Sequence, residues 1–327
     1  MKAIIRFLPL LCILSCEVDD QINTPFHLLV PKGFPEVNIP NDNQLTVERI
    51  NLGKKLFYDP ILSRDSSISC NSCHLQEFAF TDAKPTSIGI AGRLGKRNAM
   101  SLANVAYANF LQRESGVPTL EMQVLVPIQE HNEMDFNIVA VAEKMNKDPH
   151  YRKLSYEAYG KLPDAFVITR AIAAFERTFL SGNSKYDTNQ LSESEQRGMA
   201  LFFCDSLACS SCHGTFLFTN QQPENNGLYE QYSDSGRYIL TGLQEDIGRF
   251  KTPTLRNIEL TSPYMHDGSI SSLEEVIAHY ESGGMNHVNQ SAILRGFTLT
   301  ETEREELIEF LNSLTDYEFT QNAFFKE

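Results

Sequence analysis

The apolar positions of this chain recur at helical rather than alternating spacing. Ile50, Leu52, Leu56 and Phe57 form a stripe that predicts a helix beginning near Leu45. Asp59-Pro60 ends it, because the residue before a proline is pushed out of the helical region. Leu120, Val124 and Ile128 repeat the pattern, with Pro127 bending or ending that segment. Amphipathic helices are predicted over 137–147 and 165–180, the second marked by Ala165, Ile168, Ile172, Phe175 and Phe179 and closed at Gly182. Ser192-Glu193-Ser194-Glu195 is a capping box ahead of a helix over 193–203. Thr300-Glu301-Thr302-Glu303 is another, opening a last helix that carries Leu307, Phe310, Leu311 and Leu314. Residues 84–97 hold Pro85, Gly89, Gly92 and Gly95 and read as a loop. Alternating strand patterns are few, so the expected class is mainly α with long irregular loops.

The two ends of the pattern differ from the middle. Met1-Lys2-Ala3-Ile4-Ile5-Arg6 followed by an apolar run from Phe7 to Leu14 has the form of an export signal, too short to span a bilayer as a mature helix. Ile13-Leu14-Ser15-Cys16 resembles a bacterial lipobox, which places a lipid on Cys16 and the protein in the periplasm or cell envelope; an ordinary signal peptide cut nearby is the alternative. Residues 1–16 are assigned to that segment, and 17–43, rich in Pro, Asn and Asp, to a tether and N-terminal arm. The remainder divides into 44–185 and 186–327, with the final segment free to pack back on the first half. Gly53-Lys54-Lys55-Leu56-Phe57 and Gly198-Met199-Ala200-Leu201-Phe202 each precede a cysteine pair, which suggests a duplicated domain.

Composition narrows the function. The chain has 327 residues, 42 acidic against 28 basic, and a formal charge of −14. Nothing in that balance attracts nucleic acid, and membrane contact is expected only through the N-terminal lipid. Seven cysteines are too few for a disulfide framework and too odd in number to pair completely.

Four of those cysteines are explained together. Cys70-Asn71-Ser72-Cys73-His74 and Cys209-Ser210-Ser211-Cys212-His213 are both C-x-x-C-H, the attachment signature of c-type haem. On a helical turn, cysteines three apart share a face and reach two vinyl groups of one porphyrin edge, while the next histidine supplies an iron ligand. Chance would give roughly 0.004 such matches in a chain of this composition, so two are not accidental. A zinc site is the competing reading, but its cysteine pairs are normally much closer in sequence, and a thioredoxin-like pair would need a βαβ context. Cys204, in the apolar stretch Leu201-Phe202-Phe203-Cys204, reads as a buried inert thiol.

Around these motifs the chain resembles the bacterial di-haem cytochrome c peroxidase and MauG family. The resemblance runs from about residue 45 to 315. It is carried by Leu52 through Asp59, Leu62-Ser63, Ser69 through His74, Gly95-Lys96-Arg97-Asn98, Thr119 through Met134, Gly198 through His213, Phe250 through Asn257, and Tyr264-Met265-His266-Asp267-Gly268. It implies two cytochrome-c-like α domains, each with a covalent c-type haem, and a calcium ion between them. The N-terminal domain would be peroxidatic and the C-terminal one an electron relay. The resemblance gives Glu133 the acid–base role in O–O cleavage and places Gln123 beside it in the distal pocket. It puts Asn98, Thr261 and Pro263 at the calcium positions. It makes Tyr280 the second ligand of the C-terminal iron, with Met265 or Met285 as alternatives; peroxidases carry Met at that position and MauG carries Tyr.

What the resemblance implies about activity is reduction of hydrogen peroxide with electrons from a small donor protein of cytochrome c or cupredoxin type. The alternatives are a MauG-type oxidase acting on a protein or organic substrate, and a non-catalytic electron carrier. Homodimers are common in the family. Two departures matter. Many relatives close the N-terminal iron with a loop histidine, whereas this loop reads Gly89-Ile90-Ala91-Gly92 and no histidine stands between 75 and 130. The N-terminal iron is therefore expected to rest open, with only His131 able to close it. The family tryptophan between the haems is Arg113 here, in a chain with no tryptophan at all.

Overall fold

The computed structural model describes residues 23–327. The expected export signal, Cys12 and the lipid-acceptor Cys16 lie outside the described residues. Among the described residues twelve α-helices follow one another: α1 (Val47–Tyr58), α2 (Leu120–Gln123), α3 (Leu125–Gln129), α4 (Ile138–Asn146), α5 (Pro149–Tyr159), α6 (Ala165–Glu176), α7 (Glu193–Phe203), α8 (Cys209–His213), α9 (Tyr238–Thr241), α10 (Leu273–Glu281), α11 (Glu301–Asn312) and α12 (Tyr317–Gln321). Among the described residues the strand content is one two-stranded antiparallel ribbon, β1 (Pro223–Glu224) on β2 (Phe250–Lys251), plus isolated bridges. The mainly α class expected from the apolar spacing is what the chain forms.

Two helix crossings organise the molecule, and they are the same crossing twice. α1 starts at Thr46, whose hydroxyl accepts from the Arg49 amide, and stops at Asp59 with Pro60 next. Ile50, Leu52, Leu56 and Phe57 face inward with at most 1% of their surface exposed. α1 meets α6 at Gly53, where a Cβ would stand 1.9 Å from the Ala171 carbonyl oxygen and 2.9 Å from Phe175 Cβ. α7 meets α11 at Gly198, where a Cβ would stand 1.9 Å from the Glu306 carbonyl oxygen and 2.9 Å from Phe310 Cβ. The shared Gly-x-x-Leu-Phe is therefore a contact rule: glycine lets two backbones touch, and the closing Phe, Phe57 or Phe202, enters the core.

The repetition extends beyond the two pentapeptides. Asn104 and Asn257 both have left-handed backbone, with φ of 60° and 62°. Their amides donate to the Phe179 carbonyl (2.7 Å) and the Leu314 carbonyl (3.1 Å), each just past the partner helix of its crossing. The two pivots meet: Asn104 Nδ2 donates to the Ser181 carbonyl at 2.8 Å and Asn257 Nδ2 donates to Ser181 Oγ at 3.0 Å.

The three largest apolar clusters among the described residues follow from this packing. Leu52, Leu56, Val124, Ile128, Val141, Ile168 and Ile172 form one. Phe57, Phe80, Phe175 and Phe179 form a second, joined by Phe319 and Phe325 from the C-terminal end. Phe202, Phe218, Ile277, Leu307, Phe310 and Leu314 form the third, in the C-terminal half. The chain end is held across the first half by Gln76 Nε2, which donates to the carbonyls of Phe319 (3.0 Å) and Asn322 (2.9 Å).

Some elements differ from expectation. α5 has no aliphatic stripe; Tyr151, Ser155 and Ala158 are its buried positions, so apolar spacing hid it. Its ends were readable, with Asp148 as N-cap, Pro149 first and Gly160 left-handed after it. α6 stops at Glu176 rather than 180, because tight i to i+3 bonds to the Phe175 and Glu176 carbonyls replace the helical ladder. Residues 23–43 have almost no regular structure, yet they are packed rather than trailing. Phe34 lies edge-on to Tyr107 and Phe216, and buried Asn43 donates to Glu121 and to the Arg170 carbonyl.

Candidate functional site

The two C-x-x-C-H segments open on one continuous cavity of about 930 Å³. Cys73, His74, Gln123, Glu133 and Glu176 line it from the N-terminal half; Cys209, Cys212, His213, Met265 and Tyr280 line it from the other. The local folds are alike. Cys70–Ser72 is a 3-10 turn in which the His74 amide donates back to the Cys70 carbonyl at 3.0 Å. The second motif is the short helix α8.

Each histidine is fixed the same way. His74 Nδ1 lies 2.7 Å from the Phe80 carbonyl oxygen, and His213 Nδ1 lies 2.9 Å from that of Phe218. A carbonyl only accepts, so Nδ1 carries the proton in both and Nε2 presents its lone pair. Phe80 and Phe218 reach these positions through left-handed backbone, at φ of 61° and 52°. Burial disfavours the imidazolium form and lowers both pKa values. The four cysteines are unpaired. Burial raises their thiols, Cys73 and Cys212 to about 11 and Cys209 to about 12. Neutral Nε2 atoms, unpaired thiols three residues apart and an apolar cavity joining them fit two covalent c-type haems.

Glu133 sits on a turn after α3. Its amide donates to the Glu130 carbonyl at 3.0 Å, and the next amide, Met134, donates to the Pro127 carbonyl at 3.2 Å. The loop over 89–93 packs directly on this turn. Ile90 N donates to the Glu133 carbonyl at 2.8 Å, and a Cβ on Gly89 would be 2.0 Å from the Asn132 carbonyl oxygen. Burial, and secondarily Glu130, push the Glu133 carboxyl up to about 7. Gln123 Oε1 is buried without a partner in the same cavity.

His131 is turned away. Its exposed ring lies against Arg93 Nη1 at 2.6 Å and Asp135 at 3.3 Å, and it does not line the cavity. On the C-terminal side the candidates separate. Tyr280, on the apolar face of α10, lines the cavity, and burial pushes its hydroxyl up to about 12. Met265 also lines it, with its sulfur accepting from Asn226 Nδ2 at 3.2 Å. Met285 is 54% exposed and outside the cavity, so that alternative is corrected: Gly283 and Gly284 carry the chain away from the wall after α10 ends.

One lining residue escaped the sequence. Glu176, the last residue of α6, is buried, its Oε2 has no partner, and burial pushes its carboxyl up to about 8. The available signal was its position four residues after Ile172, on the buried face of an otherwise apolar helix.

The residues expected to hold calcium do not present a free cation site. Asn98, Thr261 and Pro263 all line the cavity between the halves. However, Arg113 Nη2 donates to Asn98 Oδ1 at 2.8 Å, so that amide oxygen already faces a cation. Among the described residues no three His, Cys, Asp or Glu side chains converge on a metal-sized point.

Comparison with known proteins places this geometry. The family model for di-haem cytochrome c peroxidase matches residues 47–196. The methylamine utilization protein MauG of Methylorubrum extorquens is 34% identical over 294 residues, covering 87% of this chain and 82% of that protein. Cytochrome-c peroxidase IdrP1 of Pseudomonas sp. is 32% identical over 324 residues, covering 86% of this chain and 84% of that one. The crystal structure of a MauG-like protein associated with microbial copper homeostasis superposes with a TM-score of 0.88 at 34% identity, covering 92% of this chain and 99% of the other.

Proposed function

The chain belongs to the di-haem cytochrome c peroxidase and MauG family, whose members are oxidoreductases carrying two c-type haems, and from that premise we propose that it reduces hydrogen peroxide to water. The observation that carries this reading is Glu133: a carboxyl poised near neutrality in the cavity wall that also holds His74. When bound, the N-terminal haem would supply a redox-active Lewis acid for peroxide chemistry. Every other part of the reaction falls to side chains. Cys70 and Cys73 tether the N-terminal cofactor, and His74 holds its metal with the tautomer set by Phe80.

Glu133 takes the proton from the inner peroxide oxygen and returns it to the outer one, which then leaves as water. Its pKa near 7 suits both halves of that exchange. Two electrons and two protons turn one peroxide into two waters. Gln123 offers an unpartnered amide oxygen to hold the peroxide hydrogen. Cys209, Cys212 and His213 would hold the relay haem, with Tyr280 on the cavity wall as its second ligand and Met265, which lines the same cavity, as the alternative. A small donor protein of cytochrome c or cupredoxin type supplies the electrons, in the periplasm.

A second reading is a MauG-type oxidation of a protein or organic substrate. The presence of Tyr280 where peroxidases carry Met favours it. Steady-state peroxide consumption with a reduced cytochrome c or cupredoxin separates the two. Sustained turnover that collapses in Glu133→Gln supports peroxide reduction. Negligible turnover with donor, together with oxidation of an added protein substrate, supports the second reading.

A further inference from the structure

We propose that Arg113 replaces the inter-haem calcium: its guanidinium is the fixed cation between the two haem sites, and the chain binds no calcium there. The proposal rests on family membership and holds for either activity.

Asn98 is committed to Arg113 by every polar atom it has on that side. Arg113 Nε and Nη2 donate to the Asn98 carbonyl at 3.1 and 2.9 Å, and Nη2 also donates to Asn98 Oδ1 at 2.8 Å. The amide cannot turn to free that oxygen. Its Nδ2 donates to the Lys84 carbonyl at 2.9 Å, so a flip would set an NH2 against the guanidinium and an oxygen against a carbonyl. The Asn98 backbone is pinned too, donating to the His266 carbonyl at 2.9 Å. Both Arg113 and Asn98 are buried, at 8% and 9% exposure.

The surroundings also oppose a divalent ion. Calcium takes six to eight oxygens, drawn from carboxylates, amide and backbone carbonyls and water. Here the expected residues offer the Asn98 amide oxygen, the Thr261 hydroxyl and the backbone carbonyls of Thr261 and Pro263, and the Asn98 oxygen already accepts from a guanidinium. A second buried cation, Lys251, stands close by: its backbone N donates to the Arg113 carbonyl at 2.6 Å and its Nζ to the Phe110 carbonyl at 2.8 Å. Neither Arg113 nor Lys251 has a carboxylate within ion-pair distance among the described residues. Burial, and then the neighbouring Arg113 charge, push Lys251 down to about 8. Two buried cations without a carboxylate in direct contact line the cavity, and haem propionates would be anions suited to them. The loss of the family tryptophan at this position and the loss of the calcium are then one event: the side chain that displaced the indole also displaced the ion.

The test uses the holoprotein with both haems attached. Its calcium content is measured after dialysis against a chelator, and its resting EPR spectrum and thermal midpoint are recorded before chelation, after it, and with millimolar calcium added. The expected result is calcium at background and no change in signals or midpoint. Stoichiometric calcium that leaves on chelation with a change in either EPR signal would overturn the proposal. Arg113→Gln removes the cation and frees Asn98 Oδ1, so it should gain a calcium-dependent rise in midpoint of several degrees. A variant as indifferent to calcium as the wild type would contradict the replacement. Should Arg113→Gln fail to fold, the wild-type calcium content decides alone.

Discussion

Arg256 and Asp187 form a buried pair behind the C-terminal haem motif, and removing the carboxylate should unfold that support. Arg256 Nη1 and Nη2 donate to the two Asp187 oxygens at 2.8 and 2.9 Å, with side-chain exposures of 2% and 8%. Arg256 Nε donates to the Phe216 carbonyl at 2.8 Å, in the loop whose Phe218 carbonyl orients His213. Asp187 also accepts from Ser184 N and Oγ at 3.0 and 2.7 Å. Asp187→Ala therefore strands a guanidinium and two smaller donors. Stranding one partner of a buried pair costs about 3–5 kcal/mol. That is a large part of the 5–15 kcal/mol typical of a whole domain, and on the order of 10 °C in midpoint.

Replacing both residues with apolar ones, as Asp187→Leu with Arg256→Met, should recover most of the loss, because neither charge is then left alone. Urea unfolding of the holoprotein, followed by far-ultraviolet circular dichroism and by the Soret band, measures all three. The pH dependence has a fixed sign. Burial alone would raise the Asp187 pKa, but Arg256 outweighs it and holds the folded value below 3.8. The pair's stabilisation is thus present above pH 3.8 and lost as the pH falls through the depressed value. A single-variant loss under about 1 kcal/mol, or a double variant no better than the single, would refute the buried-pair explanation.

Other outcomes follow from the same geometry. Peroxide turnover should rise with pH through about 7 as Glu133 ionises to accept the proton, and Glu133→Gln should lose both that limb and about 10²–10⁴ of the rate. In stability the sign is reversed: the raised Glu133 pKa adds stability below 4.5 that is lost as the pH rises through about 7, so Glu133→Gln should flatten that part of the stability profile. Gly53→Ala must move a helix backbone that stands 1.9 Å from the new methyl, and should cost upwards of about 1–3 kcal/mol by denaturant unfolding. Tyr280→Phe should alter the low-spin EPR signal and leave the high-spin one in place; an unchanged spectrum removes Tyr280 from the ligand set.

Much of the fold was readable because its rules are local. The capping boxes at Ser192 and Thr300 both form, and their helices begin where the boxes put them. The stripes of α1 and α6 are buried as their spacing implies. The C-x-x-C-H motifs could be read because three residue types at fixed spacing serve one covalent chemistry. What escaped is non-local. α5 buries tyrosines and small residues, so its apolar face is visible only once its neighbours are known. The partnership of Asn98 with Arg113 spans 15 residues of loop without periodicity. Glu176 carries no local signal of its role, and only the cavity reveals that its Oε2 has no partner.

The proposed function requires an N-terminal iron open to peroxide beside Glu133 and a closed relay iron in the other half. The EPR spectrum of the resting ferric holoprotein, recorded before and after one equivalent of peroxide, tests it most directly. One high-spin and one low-spin signal at rest, with the high-spin signal lost on peroxide addition, is the expected result. Two low-spin signals at rest, or a high-spin signal indifferent to peroxide, would contradict it.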